Sequence, residues 1–375
     1  MPDVAIIGAG PVGLSAALAL CRLGVDVELF EAAVEPSLTP KASAFHPPTL
    51  EMFAEWNMLG DALEGGLRVH GVQYRDLRND SILAELDYAS IADITPYPYR
   101  LQLSQPLLEA ILVNHIRRHN PGGVQYGAAL TGIELREEHI ALTLQIAHTT
   151  EMVFAKYVLA ADGEASPSRT ALGVRFLGKS EAQRYLLVGT DLDLVKYRPG
   201  ISDVACLRDA ADACEVMRVP GCLHALFRLH AGESEKDALN VASVGRRLGL
   251  LARAEIDRVE INHYAVYTVQ QRVAEKFRVG NAFLLGDAAH VTTPVEGIGI
   301  NGGIHDAYEI AWRIALALGG ASDSIFDGYE RRRRRTALEY IDAESERSPR
   351  DDNLEALAAS PRERRRVLLR SSMLV

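Results

Sequence analysis

A chain of 375 residues, 48% of them hydrophobic, can bury a large core and forms one or two domains. Its formal charge of −10 argues against nucleic acid as a partner. The four cysteines, Cys21, Cys206, Cys214 and Cys222, show no C-x-x-C spacing, which fits a reduced cytoplasmic protein better than a disulfide framework or a metal site.

Residues 4–21 carry no charge, so a leader or a membrane span has to be weighed first. The start "MPD" lacks the basic region of a signal peptide, and Gly8, Gly10, Pro11 and Gly13 break the bulk a spanning helix needs. The expectation is a soluble chain with no membrane partner. "VAIIGAGPVGLSAALALCRLGVDVELFEA" reads instead as a strand (Val4–Ile7), a glycine turn, a helix and a second strand (Val25–Phe30). Gly8, Gly10 and Gly13 have the G-x-G-x-x-G spacing. The first glycine makes the turn, the second admits a pyrophosphate to the backbone, and the third lets helix and strand pack closely. The helix N-terminus offers unpaired N–H groups and a positive dipole end to the phosphates. Glu31 closes the second strand, where its carboxylate can accept hydrogen bonds from an adenosine ribose and disfavours a 2′-phosphate. Strand, turn, helix, strand and acid in this order predict a dinucleotide site.

"KASAFHPPTLEMFAEW" (residues 41–56) predicts a loop entering a helix at Pro47-Pro48, with Thr49 as its cap and Glu51 in the first turn. Residues 71–94 predict short strands, and "LSQPLLEAILVNHIRRHNPGG" a helix that starts near Pro106 and stops before Asn120-Pro121-Gly122. Alternating strands follow, and they end at a second strand-end acid, Asp162. From Tyr185 to Thr268 mostly strands are expected. In "CLHALFRLH", Ala225, Phe227 and Leu229 share one face, and His224, Leu226 and Arg228 the other. "FLLGDAAHVTTPVEGIGINGG" (residues 283–303) again ends a strand in an acid, Asp287, before a glycine-rich loop and a long helix. Residues 331–370 are charged and helical. The arginine run 331–335, flanked by Asp327, Glu330 and Glu339, reads as a solvated helix face. No second G-x-G-x-x-G followed by a strand and an acid appears, so a nicotinamide would have no Rossmann domain of its own.

Three motifs, "GAGPVG" with Glu31, "AADGEASPSRTALG" and "FLLGDAAHVTTPVEGIGINGGIHDA", together resemble those of the single-component FAD-dependent aromatic hydroxylases, the para-hydroxybenzoate hydroxylase-like flavoprotein monooxygenases. The resemblance is dense at both ends and thin over residues 175–265. It implies an α/β fold: a Rossmann-like FAD-binding domain (1–70, 100–175 and 270–330), an interleaved mainly β substrate domain (71–99 and 176–269) and a C-terminal helical segment (331–375). Carried over residue by residue, Gly8, Gly10 and Gly13 face the FAD pyrophosphate, with Pro11 and Val12 beside them. Glu31, next to Ala32, meets the adenosine ribose. Lys41 stands where the family has an arginine near the pyrophosphate, keeping the charge without the bidentate fork. Gln105 matches a glutamine near the ribityl chain. Leu130 is counted with the cofactor contacts. Asp162 and Gly163 match the family's Asp-Gly pair, and Arg169 its trailing arginine. Asp287, after Gly286, matches the acid that binds a ribityl hydroxyl. Pro294, Gly297, Gly299, Ile300 and Asn301 place backbone N–H groups and a helix N-terminus against the flavin ring, where they favour negative charge on the reduced cofactor. Glu296 departs from the family's glycine there.

The activity implied is hydroxylation of a phenolic or heteroaromatic small molecule. NADH or NADPH acts as transient cosubstrate, and O₂ reacts through a flavin hydroperoxide. The chain is expected as a monomer or homodimer without a metal. No base is visible. His46 is the candidate, because its loop should pass near the flavin, and a capping role before Pro47 stays open beside it. His290 reads as structural. The substrate wall is placed on Met217, Val219, Ala225 and Phe227, with Arg218 and Arg228 pointing outward, which favours a neutral ring over a benzoate-type acid. The alternatives are a same-fold FAD oxidoreductase that does not hydroxylate (dehydrogenase, reductase or halogenase) and a non-catalytic flavin-binding protein. Trp56 and Trp312 are too far apart for the W-x-W-x-I-P stretch of the tryptophan halogenases.

Overall fold

The computed structural model describes residues 1–37, 44–256, 259–292, 298–346 and 357–371, so Lys41, Pro294, Glu296 and Gly297 lie outside the described residues. The elements run as β1 (Val4–Ile7), α1 (Pro11–Arg22), β2 (Val27–Glu31), β3 (Ala44–Phe45), α2 (Pro47–Glu55), α3 (Leu59–Gly65), β4 (Leu67–Val69), β5 (Gly71–Asp76), β6 (Ile82–Asp87), β7 (Arg100–Gln102) and α4 (Gln105–Arg117). Then come β8 (Val124–Tyr126), β9 (Ala128–Leu135), β10 (Ile140–Ile146), β11 (Thr149–Ala155), β12 (Tyr157–Ala160), α5 (Pro167–Ala171), β13 (Phe176–Thr190), α6 (Leu194–Tyr197), β14 (Val204–Arg208), β15 (Ala213–Val219) and β16 (Cys222–Arg228). The rest is α7 (Glu235–Ala238), α8 (Val241–Ala252), β17 (Ile261–Ala274), β18 (Arg278–Val279), β19 (Ala282–Leu284), a 3₁₀ turn (Gly286–Ala288), β20 (His290–Val291), α9 (Ile298–Leu318), α10 (Asp327–Glu346) and a C-terminal helix (Pro361–Ser371).

One sheet has the order β18-β19-β12-β1-β2-β8, with β19, β12, β1, β2 and β8 parallel. Its central strands β1, β12 and β19 are apolar along their length because both faces are covered. Val4 and Ile6 pack with Leu14 and Leu18 of α1, Leu108 and Leu112 of α4, and Ile304 and Ile310 of α9. Ala5 and Ile7 pack on the opposite face with Leu130, Leu142 and Leu144 of the β11-β10-β9 sheet. The turns after β1, β2, β12 and β19 therefore open on the same edge of the sheet, the carboxyl edge where α/β proteins place their ligands.

The second large sheet has the order β20-β17-β13-β16-β15-β14-β5-β6 and is antiparallel except for the β14–β5 pair. Helix α8 lies on one face. Its Val244, Leu248 and Leu251 pack on Leu186, Val188, Val216, Ala225 and Phe227. This helix departs from the expected run of strands. Asn240 caps it by accepting from the Ala242 N–H at 2.9 Å, and Val244, Leu248 and Leu251 repeat at helical spacing. The arginine run also departs in part from a solvated face. Arg331, Arg332 and Arg335 are exposed, whereas Arg333 is buried and donates to Asp306 and the Gly302 carbonyl of α9.

Candidate functional site

The glycines of the first turn are held in place by the absence of side chains. Gly8 has φ +100°, and a Cβ there would lie 2.4 Å from the Ala161 carbonyl oxygen. A Cβ on Gly13 would lie 1.9 Å from the Gly8 oxygen. Both therefore set the close approach of α1 to β1 and β12. Gly10 differs: a Cβ there meets nothing within 4 Å, so the space beside it is open. It is the N-cap of α1 and supplies no side-chain cap, while Pro11 sets the first helical residue. The free N–H groups of this turn thus face room for an anion. Glu31 accepts from the Ala9 N–H at 2.7 Å and the Ala33 N–H at 2.9 Å, which fixes its carboxylate at the rim. Ala32 beside it is exposed. This arrangement fits a dinucleotide.

Three turns interlock around Val12. A Cβ on Gly286 would reach a Val12 methyl at 2.9 Å, and one on Gly303 would reach it at 2.4 Å. The start of α1, the turn carrying Asp287 and the first turns of α9 are therefore packed as one unit. Asp287 is exposed on that turn. Asp162 accepts from Ser166 Oγ at 2.5 Å and from the Ser168 N–H at 2.8 Å, so its carboxylate shapes the loop into α5. Arg169 donates to the Ala288 carbonyl at 3.0 Å and the Glu164 carbonyl at 2.7 Å, clamping the β12 and β19 loops together. Gln105 begins α4 and donates to Glu109 at 2.8 Å. Leu130 is buried in the apolar layer beneath Ile7 and Phe30.

The first turns of α9 are tied down on two sides. Asn301 accepts at Oδ1 from the His46 N–H (3.0 Å) and Thr49 Oγ1 (2.6 Å), and donates from Nδ2 to the Ala44 carbonyl (2.8 Å). The Thr49 hydroxyl has spent its one proton on Asn301, so His305 Nε2, 3.1 Å away, donates to it. Burial, with Arg333 next, pushes His305 down to about 3, and the ring is neutral. His46, not Thr49, is the N-cap of α2, because Pro47 already occupies the first helical position. Deeper in, Asp306 accepts from the Gly286 N–H at 3.0 Å, from His290 Nε2 at 2.7 Å and from Arg333 Nε at 2.5 Å. Burial works against the Asp306 charge, but Arg333 and His290 outweigh it and hold the carboxyl below the usual carboxylate range. Arg333 also donates to the Gly302 carbonyl at 3.0 Å. Sequence reasoning missed Asp306, since an acid inside a helix carries no local signal of its buried partners. Gly299 and Ile300 lie in the first turn of α9, and Gly299 faces Thr292.

The proposed substrate wall needs a correction. Met217 pairs with His224 across the β15–β16 hairpin, and Val216 pairs with Ala225. Met217 and Val219 consequently lie on one face, while Ala225 and Phe227 lie on the other, in the core under α8. On the Met217 face, one row of partners crosses the sheet: His263 on β17, Gly189 on β13, His224 on β16, Met217 on β15 and Val204 on β14. Arg100, buried at the start of β7, donates to Met217 Sδ at 3.2 Å. Strand β7 pairs with β3, whose Ala44 is held by Asn301, so this face is joined to the start of α9 through three short links. Arg218 is paired with Asp203 at 3.0 Å, and Arg228 is exposed.

The FAD binding domain family matches residues 1–344. The chain is 30% identical over 347 residues to the para-nitrophenol 4-monooxygenase of Pseudomonas sp. (strain WBC-3), covering 91% of this chain and 84% of that one. It is 29% identical to the 6-hydroxy-3-succinoylpyridine 3-monooxygenase of Pseudomonas putida (strain DSM 28022 / S16), covering 94% and 88%. The crystal structure of p-nitrophenol 4-monooxygenase from Pseudomonas putida DLL-E4 superposes with a TM-score of 0.90 at 27% identity, over 99% of this chain and 97% of that one.

Proposed function

The chain belongs to the FAD binding domain family of flavin-dependent aromatic monooxygenases, and on that premise we propose that it hydroxylates a phenolic or heteroaromatic ring with NAD(P)H and O₂. The observation that carries the reading is the interlock of two strand-end turns and the first turns of α9 around Val12, beside an open Gly10 and a fixed Glu31. In this reading the N–H groups after Gly10 take the pyrophosphate, Glu31 accepts from the adenosine ribose and Asp287 accepts from a ribityl hydroxyl. The N-terminus of α9, from Gly299 to Asn301, would hold the ring system by its pyrimidine end and would favour negative charge there. Bound FAD supplies the hydride-accepting and oxygen-transferring chemistry.

The chain's own side chains position and enclose. Asn301 and the His46 backbone N–H hold the β3 segment against α9, with the His46 side chain buried at the N-cap of α2. The ring of the substrate lies on the Met217 face, between the large sheet and the cofactor edge. Arg100 brings positive charge to that face, which favours a phenolate oxygen. Arg218 is neutralised by Asp203, so a benzoate-type acid finds no partner in it. The test is to release the bound cofactor by denaturation and identify it as FAD, then to measure NADH and NADPH oxidation over phenols, aromatic acids and hydroxypyridines. Oxidation stimulated by phenols or hydroxypyridines supports the reading. A protein that holds no flavin, or whose oxidation ignores every aromatic, overturns it.

A further inference from the structure

The row His263, Gly189, His224, Met217 and Val204 contains a polar pair, His224 and His263, two strands apart. Gly189 lies between the two histidine-bearing strands, and a Cβ there would come within 2.1 Å of the His263 ring. With no side chain at Gly189, His263 leans across β13 and meets His224 edge to face, with ring centroids 5.1 Å apart. His224 is buried. His263 Nε2 is buried too and has no hydrogen-bond partner among the described residues. A buried imidazole nitrogen without a protein partner costs free energy, which a polar atom of a ligand arriving there would relieve. The neighbour on the other side is Met217, which Arg100 touches.

We propose that the His224–His263 pair is the polar end of the substrate chamber, where the two imidazoles hold the phenolic oxygen of the aromatic ring. This rests on the aromatic hydroxylase reading above and assigns it a specificity site. Burial, with His263 adding to it, pushes His224 down to about 4, so both a donor and an acceptor nitrogen are available on a neutral ring near pH 7. A neutral imidazole meets a phenol as acceptor or a phenolate as donor, whereas an apolar wall in its place meets neither. Hydrogen-bonding sites of this kind discriminate strongly against ligands that lack the hydroxyl.

The experiment titrates FAD-loaded protein with 4-nitrophenol and with nitrobenzene, which differ only in the hydroxyl, and reads dissociation constants from the flavin absorbance change. The wild-type protein should prefer 4-nitrophenol. His224→Leu should weaken 4-nitrophenol about tenfold and leave nitrobenzene unchanged, and His263→Leu and Gly189→Ala should weaken it several-fold in the same selective way. His224→Gln, which keeps a hydrogen-bonding group, should retain part of the preference and serves if the leucine variant does not fold. Variants that keep the wild-type preference, or lose both ligands equally, overturn the assignment of the pair. Wild-type protein that binds neither ligand overturns the underlying substrate reading instead.

Discussion

The two sheets of this protein put function into sequence in different ways. In the parallel sheet, the site is built from backbone at strand ends, and the sequence marks it with glycines whose missing Cβ atoms are required by contacts within a few residues or one strand away. In the eight-stranded sheet, the site is a row of side chains from β17, β13, β16, β15 and β14, spread over residues 189–263 and brought together by register alone. A local pattern can be read from spacing. A row across five strands depends on which residue opposes which, and a one-residue slip reverses the face.

The contrast can be broken at the cofactor edge first. Asp306→Asn should have the largest effect, because it leaves the Arg333 guanidinium buried without its countercharge. A loss of about 3–5 kcal/mol is expected by chemical denaturation, with loss of FAD. Gly13→Ala comes next. Its methyl group collides with the Gly8 carbonyl, a backbone atom that cannot swing aside, and about 3 kcal/mol together with cofactor retention should be lost. Gly10→Ala, into open space, should leave the apoprotein as stable as wild type while weakening FAD, which separates folding from binding in the same turn.

Why the first region was legible follows from these numbers. The strand Val4–Ile7, the helix after it and Glu31 at the end of β2 all follow from one spacing motif, and β2 starts two residues later than the pattern suggested. Asp162 was legible as a strand-end acid, but its work in capping the α5 loop through Ser166 and Ser168 is a matter of tertiary geometry. In the second region, the alternation of "CLHALFRLH" was read with the right two faces. Alternation does not say how those faces match across the hairpin, which is set by register. The two-residue turn Pro220-Gly221 sets Met217 opposite His224, so Met217 shares its face with His224 and not with Ala225. Arg100 lies in no motif, and Asp306 lies in one that does not show what it pairs with. Their importance lies in partners 117 and 27 residues away.

Smaller effects sharpen the comparison. Asp287→Ala should leave the fold intact and weaken FAD by about 1.5–3 kcal/mol, the worth of one charge-assisted hydrogen bond, read by flavin retention on dialysis. The second sheet should respond to pH through His224. His224 sits at about 4 when folded, because of burial and then His263, against about 6.5 in the unfolded chain. The native state therefore holds fewer protons between these values, and the stability present above about pH 6.5 is lost as pH falls toward 4. On the order of 1–2 kcal/mol should be gone at pH 5. Thermal melts of wild type and His224→Gln at pH 7 and pH 5 check this, and the variant should show the smaller drop.

The central claim is that this chain joins FAD chemistry on one sheet to an aromatic ring on the other. It is tested most directly by turnover of a phenol under isotopically labelled O₂ with NAD(P)H, followed by mass spectrometry of the product. The account predicts one labelled oxygen atom in the product ring and NAD(P)H oxidation that rises with the phenol. An FAD-loaded protein that oxidises NAD(P)H at the same rate with and without any phenol or hydroxypyridine, and leaves every ring unlabelled, would contradict it.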